Sequence, residues 1–240
     1  MGRARQMLMS RSYGLLQICY GRLFYSIKYT HNKWNGYWSL KKSIKLIGNS
    51  KIGIHHSTMC NIKNSKIIVN NGSLKVGVDY GYFDGGGFDS SKDNCRISLH
   101  NSTLEIEGDV TLYAGVTING INAKIVIKHG TAINGGTQII ALSDIEIGQN
   151  CMIAQGVIIR DNDGHKLSTE ANAEVDMGIE KVRIGNHCWL GQRSMILKDV
   201  ILQDNVIVAA GAVVTKSVDA NNLVAGVPAK ILKENVKWGA

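Results

Sequence analysis

The chain has 240 residues and a formal net charge of +8, from 27 Lys and Arg against 19 Asp and Glu. This length fits one domain, or one domain with an appendage. Five cysteines without a C-x-x-C pair exclude a zinc ribbon and a disulfide framework, and we expect them to be reduced thiols of a cytoplasmic protein.

The charge is distributed unevenly along the chain. Residues 1–78 contain thirteen of the Lys and Arg residues and no Asp or Glu. Such asymmetry indicates a polyanionic or membrane partner, and a solvated basic face is the alternative. We treat residues 1–43 as a separate basic, amphipathic segment.

An apolar stripe in this segment has the spacing of one helix face. Its members are Met9, Tyr13, Leu16, Tyr20, Leu23 and Ile27. Arg11 and Arg22 leave too short an apolar run for a transmembrane helix, which needs about 20 residues. No signal-peptide cleavage site follows. We expect a helix that packs on the body or a sister chain, or that lies on a membrane surface.

A six-residue repeat dominates the second half of the chain. Aliphatic residues occupy the first position of six consecutive hexads: Ile184, Leu190, Ile196, Leu202, Val208 and Val214. Weaker hexads extend upstream to residue 44. A strand and a bend repeated in this way are typical of a parallel β-helix. The sequence therefore predicts an all-β solenoid over residues 44–228.

The repeat is interrupted between residues 160 and 183. Counting six from Ile159, the next aliphatic position is occupied by His165. This stretch is predicted to protrude from the coil as a loop, with residues 166–183 as a flap. The Gly-rich residues 80–94 are interpreted as a second excursion, near a coil end or an acceptor groove. After Pro228, the sequence A-K-I-L-K-E-N-V predicts a short helix within the tail 229–240.

Four motifs together resemble one known family. They are N-H-C-W-L-G at 186–191, L-K-D-V at 197–200, A-A-G-A-V-V-T-K-S-V at 209–218 and V-A-G-V-P-A-K at 224–230. In this order they resemble the hexapeptide-repeat acyl-CoA-dependent acetyltransferases, and most nearly the O-acetyltransferases of capsule and O-antigen polysaccharides. D-G-H at 163–165 stands where this family has a histidine in a loop outside the coil. The resemblance implies a left-handed coil and a homotrimer.

The resemblance also implies a catalytic histidine in the protruding loop, at His165. A neutral imidazole accepts a proton at cellular pH, which suits a general base. The acetyl group would pass directly from acetyl-CoA to a sugar hydroxyl, without an acyl-enzyme. Asp163 either orients His165 or only shapes the turn. Cys188 is expected to pack inside the coil.

By the same resemblance, a further set of residues is expected to bind acetyl-CoA or the acceptor: Trp189, Gly191, Ala210, Thr215, Lys216 and Lys233. Trp189 would line the acceptor or pantetheine channel. Small residues would let the pantetheine arm lie against the wall, and the two lysines would meet the nucleotide phosphates. No metal is expected.

Other functions remain as alternatives. An N-acetyltransferase acting on an amino sugar or nucleotide sugar would share the fold and the donor. A carbonic anhydrase of similar coil would need a histidine triad, and no His-x4-His is present. A noncatalytic β-helix would not need the D-G-H loop. The expected acceptor is a carbohydrate, either anionic or lipid-linked, and no nucleic acid is expected. We expect a cytoplasmic location, with the inner face of the membrane as the site of any membrane contact.

Overall fold

The computed structural model describes residues 15–20, 23–28, 42–55, 57–79, 92–166 and 178–239, with the backbone alone for 15–20 and 23–28. Residues 80–91 of the predicted Gly-rich excursion lie outside this range. So do residues 167–177 of the predicted flap.

The body of the protein is a coil with three flat sides, each formed by one sheet. The chain passes from sheet III to sheet I, then to sheet II, and back to sheet III one coil further along. Strands within each sheet are parallel, except for the last strand of sheet I. This arrangement is a parallel β-helix.

The three sheets hold all the strands of the coil. Sheet I contains β4 (Lys51–Ile54), β7 (Ser73–Val78), β10 (Val110–Tyr113), β13 (Thr131–Ile133), β16 (Met152–Ile153), β19 (Trp189–Leu190), β22 (Ile207–Val208), β24 (Leu223–Gly226) and β25 (Ala229–Lys233). Sheet II contains β5 (Met59–Lys63), β8 (Arg96–His100), β11 (Thr117–Ile121), β14 (Gln138–Ala141), β17 (Ile158–Arg160), β20 (Met195–Ile196) and β23 (Val213–Val214). Sheet III contains β3 (Ile44–Ile47), β6 (Lys66–Asn70), β9 (Thr103–Glu107), β12 (Lys124–Lys128), β15 (Asp144–Ile147), β18 (Val182–Ile184) and β21 (Ile201–Leu202).

The hexad residues form the core, as the repeat predicts. Ile153, Leu190 and Val208 are aligned on consecutive strands of sheet I, and all three side chains are fully buried. The corresponding ladders in the other sheets are Ile159, Ile196, Val214 in sheet II and Ile147, Ile184, Leu202 in sheet III. Each aliphatic side chain therefore stacks on its counterpart one coil away, which removes apolar surface from water along the whole axis.

The corner between sheets III and I is built from residues with a left-handed backbone. Asn150, His187, Asn205 and Asn221 have φ values of 54°, 53°, 62° and 61°. Asparagine tolerates this conformation better than most residues, and histidine is also enriched there. His187 thus replaces an asparagine in a repeated turn, which places its ring on the outer surface of the corner.

The helix predicted over residues 9–27 is wrong wherever the structure describes that segment. Residues Leu15–Tyr20 (β1) and Leu23–Lys28 (β2) form two antiparallel strands, with Leu15 opposite Lys28 and Tyr20 opposite Leu23. Each strand is a six-residue run rich in aromatic and aliphatic residues, a composition that favours strands. A spacing of three and four residues across both runs resembles a helix face only by coincidence.

The short helix predicted after Pro228 is also wrong. Residues Ala229–Lys233 form β25, which pairs antiparallel with β24, with Gly226 opposite Ala229. The last parallel strand of sheet I offers unpaired backbone groups at its edge, and a returning strand satisfies them. The sheet edge outweighs the local helix propensity of the A-K-I-L-K sequence.

In the described residues, no helix is long and apolar enough to cross a membrane.

Candidate active site

The loop that carries His165 leaves the coil after β17, at the corner between sheets II and III. Its first residue, Asp161, is fully buried. One carboxylate oxygen accepts the backbone N–H of Leu142 at 2.8 Å; the other accepts those of Ser143 and Asp144 at 2.8 and 2.9 Å. A carboxylate held by three N–H donors is a strong anchor. The loop is therefore fixed to the preceding coil at its root.

Two more contacts close the loop at its base. The side-chain amide of Asn162 donates to the Asp161 carboxylate at 2.9 Å, and Arg160 Nε donates to the carbonyl of Asn162 at 2.7 Å. Where the chain returns, the N–H of Glu180 donates to the carbonyl of Asp161 at 2.9 Å. Both ends of the excursion thus meet at one buried residue.

Asp163 lies one step further out and forms an ion pair with Lys198, at 2.8 Å between Oδ2 and Nζ. Lys198 belongs to the next coil at the same corner. Gly178, on the returning chain, covers this pair: a Cβ there would collide with Lys198 Nζ and lie 2.6 Å from Asp163 Oδ2. The φ of 56° at position 178 favours glycine there. The ion pair holds Asp163 against the next coil.

His165 follows Gly164, whose φ of 83° turns the chain outward. The imidazole is exposed to solvent. Among the described residues, no hydrogen bond to its ring is present. The side chain therefore lies on the solvent-facing part of an anchored loop. Within the same residues, no cluster of three His, Cys, Asp or Glu side chains has the arrangement of a metal site.

Trp189 lies on the outer face of sheet I, between Met152 on β16 and Ile207 on β22. Its side chain is 41% exposed, whereas Ile207 is 7% exposed. The indole of Trp238, from the C-terminal tail, lies beside it with ring centroids 6.0 Å apart and a 44° tilt. The site therefore has an aromatic surface that extends beyond the predicted tryptophan.

The remaining predicted ligand residues are divided between two corners and one strand. Gly191 and Ala210 are neighbours at the corner between sheets I and II, where a Cβ on Gly191 would lie 2.6 Å from the Ala210 backbone nitrogen. Thr215 and Lys216 are exposed at the corner between sheets II and III, in register with Lys198. Lys233 is exposed on β25, not in a helix.

One chain does not bring all of these residues together. His165, Asp163 and Lys216 share the corner between sheets II and III, whereas Trp189 lies on sheet I, the side opposite that corner in a three-sided coil. Gly191 and Ala210 lie at a different corner. The predicted site is therefore split between separate faces of a single chain.

Comparison with known proteins gives consistent matches. Residues 181–216 match the family model of the bacterial transferase hexapeptide, with six repeats. The polysialic acid O-acetyltransferase of Neisseria meningitidis is 34% identical over 193 residues, which cover 80% of this chain and 86% of that protein. The chain belongs to the hexapeptide-repeat acetyltransferases.

Two further relatives agree with this membership. The crystal structure of the polysialic acid O-acetyltransferase OatWY has a TM-score of 0.55 and 30% identity, and it covers 82% of this chain and 90% of that chain. The polysialic acid O-acetyltransferase of Escherichia coli O1:K1 / APEC is 30% identical over 143 residues. That match covers 59% of this chain but only 44% of the relative. The predicted left-handed parallel β-helix is confirmed by the family and by the strand ladders.

Sequence analysis did not predict three residues that contact the candidate site. Asp161 is part of the D-N-D-G-H run, but only its burial shows that it anchors the loop. In the sequence Lys198 is one lysine of a hexad, and only the folded loop shows that it pairs with Asp163. Trp238 contacts a residue 51 positions earlier in the chain, a separation that no local pattern reports.

Proposed function

We propose that this protein transfers an acetyl group from acetyl-CoA to a hydroxyl of a bacterial surface polysaccharide or its precursor, as in capsule or O-antigen O-acetylation. The observation that carries the proposal is the loop anchored at Asp161, which presents an exposed His165 from a rigid corner. The similarity to polysialic acid O-acetyltransferases supports hydroxyl acceptors of this kind.

In this reaction His165 is the general base. Its neutral imidazole takes the proton from the acceptor hydroxyl while the oxygen attacks the thioester carbonyl. The carbonyl π bond opens to an oxyanion and re-forms as the carbon–sulfur bond breaks. The departing CoA thiolate then receives the proton from the imidazolium. Atoms and charge balance without an acyl-enzyme, so a ternary complex of protein, donor and acceptor is required.

The donor is proposed to lie along the coil wall. Its proposed path passes the corner between sheets I and II, where Gly191 lets two coils approach closely and the small Ala210 is exposed. Trp189 would line this channel. Lys216 and Lys233 are exposed and suit the nucleotide phosphates as point charges, and Thr215 adds a hydroxyl beside Lys216.

The working unit is proposed to be a homotrimer. His165 and Trp189 lie on opposite parts of one coil, so a second copy is needed to bring a His165 corner against a Trp189 face. The outer surfaces of sheets I and II also expose Trp189 and Met195, at 41% and 37%. Apolar side chains exposed on neighbouring flat faces are suited to burial between subunits.

The acceptor is proposed to be an anionic or lipid-linked glycan that approaches along the corner of the His165 loop. Lys63 and Lys66 flank this corner on the first coil. From β6 to β18, four ladder steps of about 4.8 Å give about 19 Å along the axis. Exposed charges act over about 10 Å at 0.1 M salt, so these lysines would attract the part of a polymer that lies beyond the reacting sugar.

The protein is proposed to act in the cytoplasm. Among the described residues, the buried Cys95, Cys151 and Cys188 are thiols without a disulfide bond, which is typical of a reducing compartment. Any contact with the inner face of the membrane would involve the basic residues of the segment 1–43.

The test is incubation of the protein with [¹³C]acetyl-CoA and a panel of bacterial polysaccharides, followed by NMR of the product. An acetyl ester on a sugar hydroxyl is the expected result. An acetamide on an amino sugar would identify the N-acetyltransferase alternative instead, and absence of transfer to every acceptor would contradict the proposal.

A further inference from the structure

The C-terminal tail places an aromatic side chain against the corner that precedes Trp189. Trp238 Nε1 donates a hydrogen bond to the backbone carbonyl of His187 at 2.8 Å. The indole also stacks on the His187 ring, with centroids 4.3 Å apart and planes 12° apart. Its remaining contact is the tilted one with Trp189. Trp238 thus contacts the backbone and the ring of His187, in the turn that leads into β19, and also the side chain of Trp189.

The His187 ring and the tail that carries Trp238 are each held by a further hydrogen bond. The His187 ring is held from another side by Asn205, with 3.0 Å between Nδ1 and the side-chain oxygen. The tail is joined to the coil by the N–H of Val236, which donates to the carbonyl of Asn221 at 2.8 Å. Trp238 therefore rests on a rigid surface, although it is only two residues from the last residue of the sequence.

Trp189 needs such support because it lies on an open sheet. Its neighbours in the sheet, Met152 and Ile207, flank it on the two adjacent strands, and its side chain still remains 41% exposed. An exposed indole on a flat face has several rotamers available. Contact with Trp238 removes some of them, which orients the exposed face of Trp189 before a ligand arrives.

We propose that Trp238 is a positioning residue of the acetyltransferase site, which orients Trp189 and extends its apolar wall for a ligand surface rich in C–H groups. Two substrates have such a surface, the pantetheine arm of the donor and the face of a sugar ring. This inference rests on the proposed function, because that function places Trp189 in the substrate channel. Under this proposal Trp238, near the end of the tail, belongs to the site, and the tail does more than cover the last coil.

Kinetics of two substitutions test the proposal. Trp238→Ala removes the stack, the hydrogen bond and the contact with Trp189, whereas Trp238→Phe keeps an aromatic ring. We expect Trp238→Ala to raise one KM about three- to tenfold, with kcat within about twofold. A rise in the KM for acetyl-CoA identifies the pantetheine arm, and a rise in the KM for the acceptor identifies the sugar. Trp238→Phe should restore most of the loss, and Lys237→Ala is the matched control in the tail.

A spectroscopic readout tests the contact without activity. In a background with Trp34→Phe and Trp38→Phe, both Trp238→Ala and Trp238→Phe leave Trp189 as the single tryptophan. Acrylamide should quench Trp189 fluorescence more strongly in the Ala variant than in the Phe variant.

The outcomes distinguish failure of the role of Trp238 from failure of the proposed function. If the wild-type protein transfers acetyl groups while Trp238→Ala keeps both wild-type KM values, the inference is overturned and the proposed function stands. Equal quenching in the two single-tryptophan variants would also overturn it. If the wild type transfers no acetyl group, the proposed function fails and the role of Trp238 in it fails too.

Discussion

The carboxylate of Asp163 lies 2.8 Å from the ammonium of Lys198, which belongs to the next coil at the same corner of the β-helix. Since Asp163 is two residues from His165, the ion pair ties the loop to the rigid wall near the reacting side chain. The two side chains are 40% and 33% exposed, and an ion pair of that kind contributes only about 0–1 kcal/mol to stability. Its effect is expected on the position of His165 rather than on folding.

Replacing Lys198 with methionine tests this relationship. The variant should keep its melting temperature within about 4 °C of wild type. Its kcat should fall, by up to about 100-fold, because a base displaced by about 1 Å from its substrate loses much of its efficiency. Lys124→Met is the control, since Lys124 also pairs with a carboxylate, that of Glu105, but lies on β12 of sheet III. Equal kcat values for the two variants would show that the ion pair does not position the loop.

Asp161 is expected to be essential for the folded loop. Asp161→Ala leaves the N–H groups of Leu142, Ser143 and Asp144 without their acceptor, and a buried unsatisfied donor costs about 1–3 kcal/mol. The free energy of unfolding should fall by at least about 2 kcal/mol in urea titrations. The exposed Asp219, replaced by alanine, should show a change within about 0.5 kcal/mol.

His165→Ala should lower kcat by about 10²- to 10⁴-fold without loss of the fold, because the side chain is exposed and supplies the general base. Acetyl transfer from labelled acetyl-CoA and circular dichroism are the two measurements. His129→Ala, at an exposed histidine of another corner, should keep wild-type activity. Near-normal turnover by His165→Ala would rule out the mechanism. A chelator should leave the wild-type rate unchanged.

Cys95 is expected to resist alkylation in the native protein. Burial raises the pKa of its thiol, and backbone hydrogen bonds offset this only in part. A raised pKa in the folded state means that the thiol stabilises the fold at pH values below its unfolded pKa. That contribution is lost as the pH rises above about 8.5, where the unfolded thiol ionises.

Iodoacetamide at pH 8.5, followed by peptide mass spectrometry, measures this difference. Cys95 should react only after addition of urea, whereas the half-buried Cys60 should react faster in the folded protein. Equal rates at the two cysteines would contradict the expected protection.

Raising the salt concentration should increase the KM for an anionic acceptor and leave kcat nearly unchanged, because screening weakens attraction to the basic corner. Lys63→Gln combined with Lys66→Gln should reduce this salt dependence. Replacing Arg3, Arg5, Arg11 and Arg22 with glutamine separates the lipid-linked case, in which binding to anionic liposomes is lost. If the KM does not depend on salt, and the four-arginine variant still binds both liposomes and the acceptor, the basic residues within positions 1–78 form only a solvated face.

The hexads allowed the coil to be predicted because each aliphatic residue has the same environment, one turn away from its counterpart. The side chains of Ile184, Leu190 and Ile196 all point into the core, and this fixes the register of their strands against the next coil. The two helices predicted at the ends are wrong for a shared reason. At residues 15–28 and 229–233 the chain pairs with a strand partner, and pairing outweighs a local spacing.

The site was predictable to the extent that it is local in sequence. The D-G-H motif and the missing aliphatic residue predict a protruding loop at His165, and the structure places the loop there. The partners of that loop, at positions 142–144 and 198, come from neighbouring coils. Their proximity depends on which residues the coil aligns across 17 to 35 positions, and this alignment follows only from the folded register.

The antiparallel strand β25 also determines how one molecule meets another at its end. Every other strand of sheet I runs in the same direction. Without β25, the edge of β24 could therefore pair with the sheet of a second molecule, and further molecules could add in the same way. A reversed strand with Lys230 and Lys233 at its surface presents the wrong polarity and two positive charges to such a copy. The same hairpin that leads the tail toward Trp189 therefore keeps this side of the solenoid from acting as the seed of a fibre.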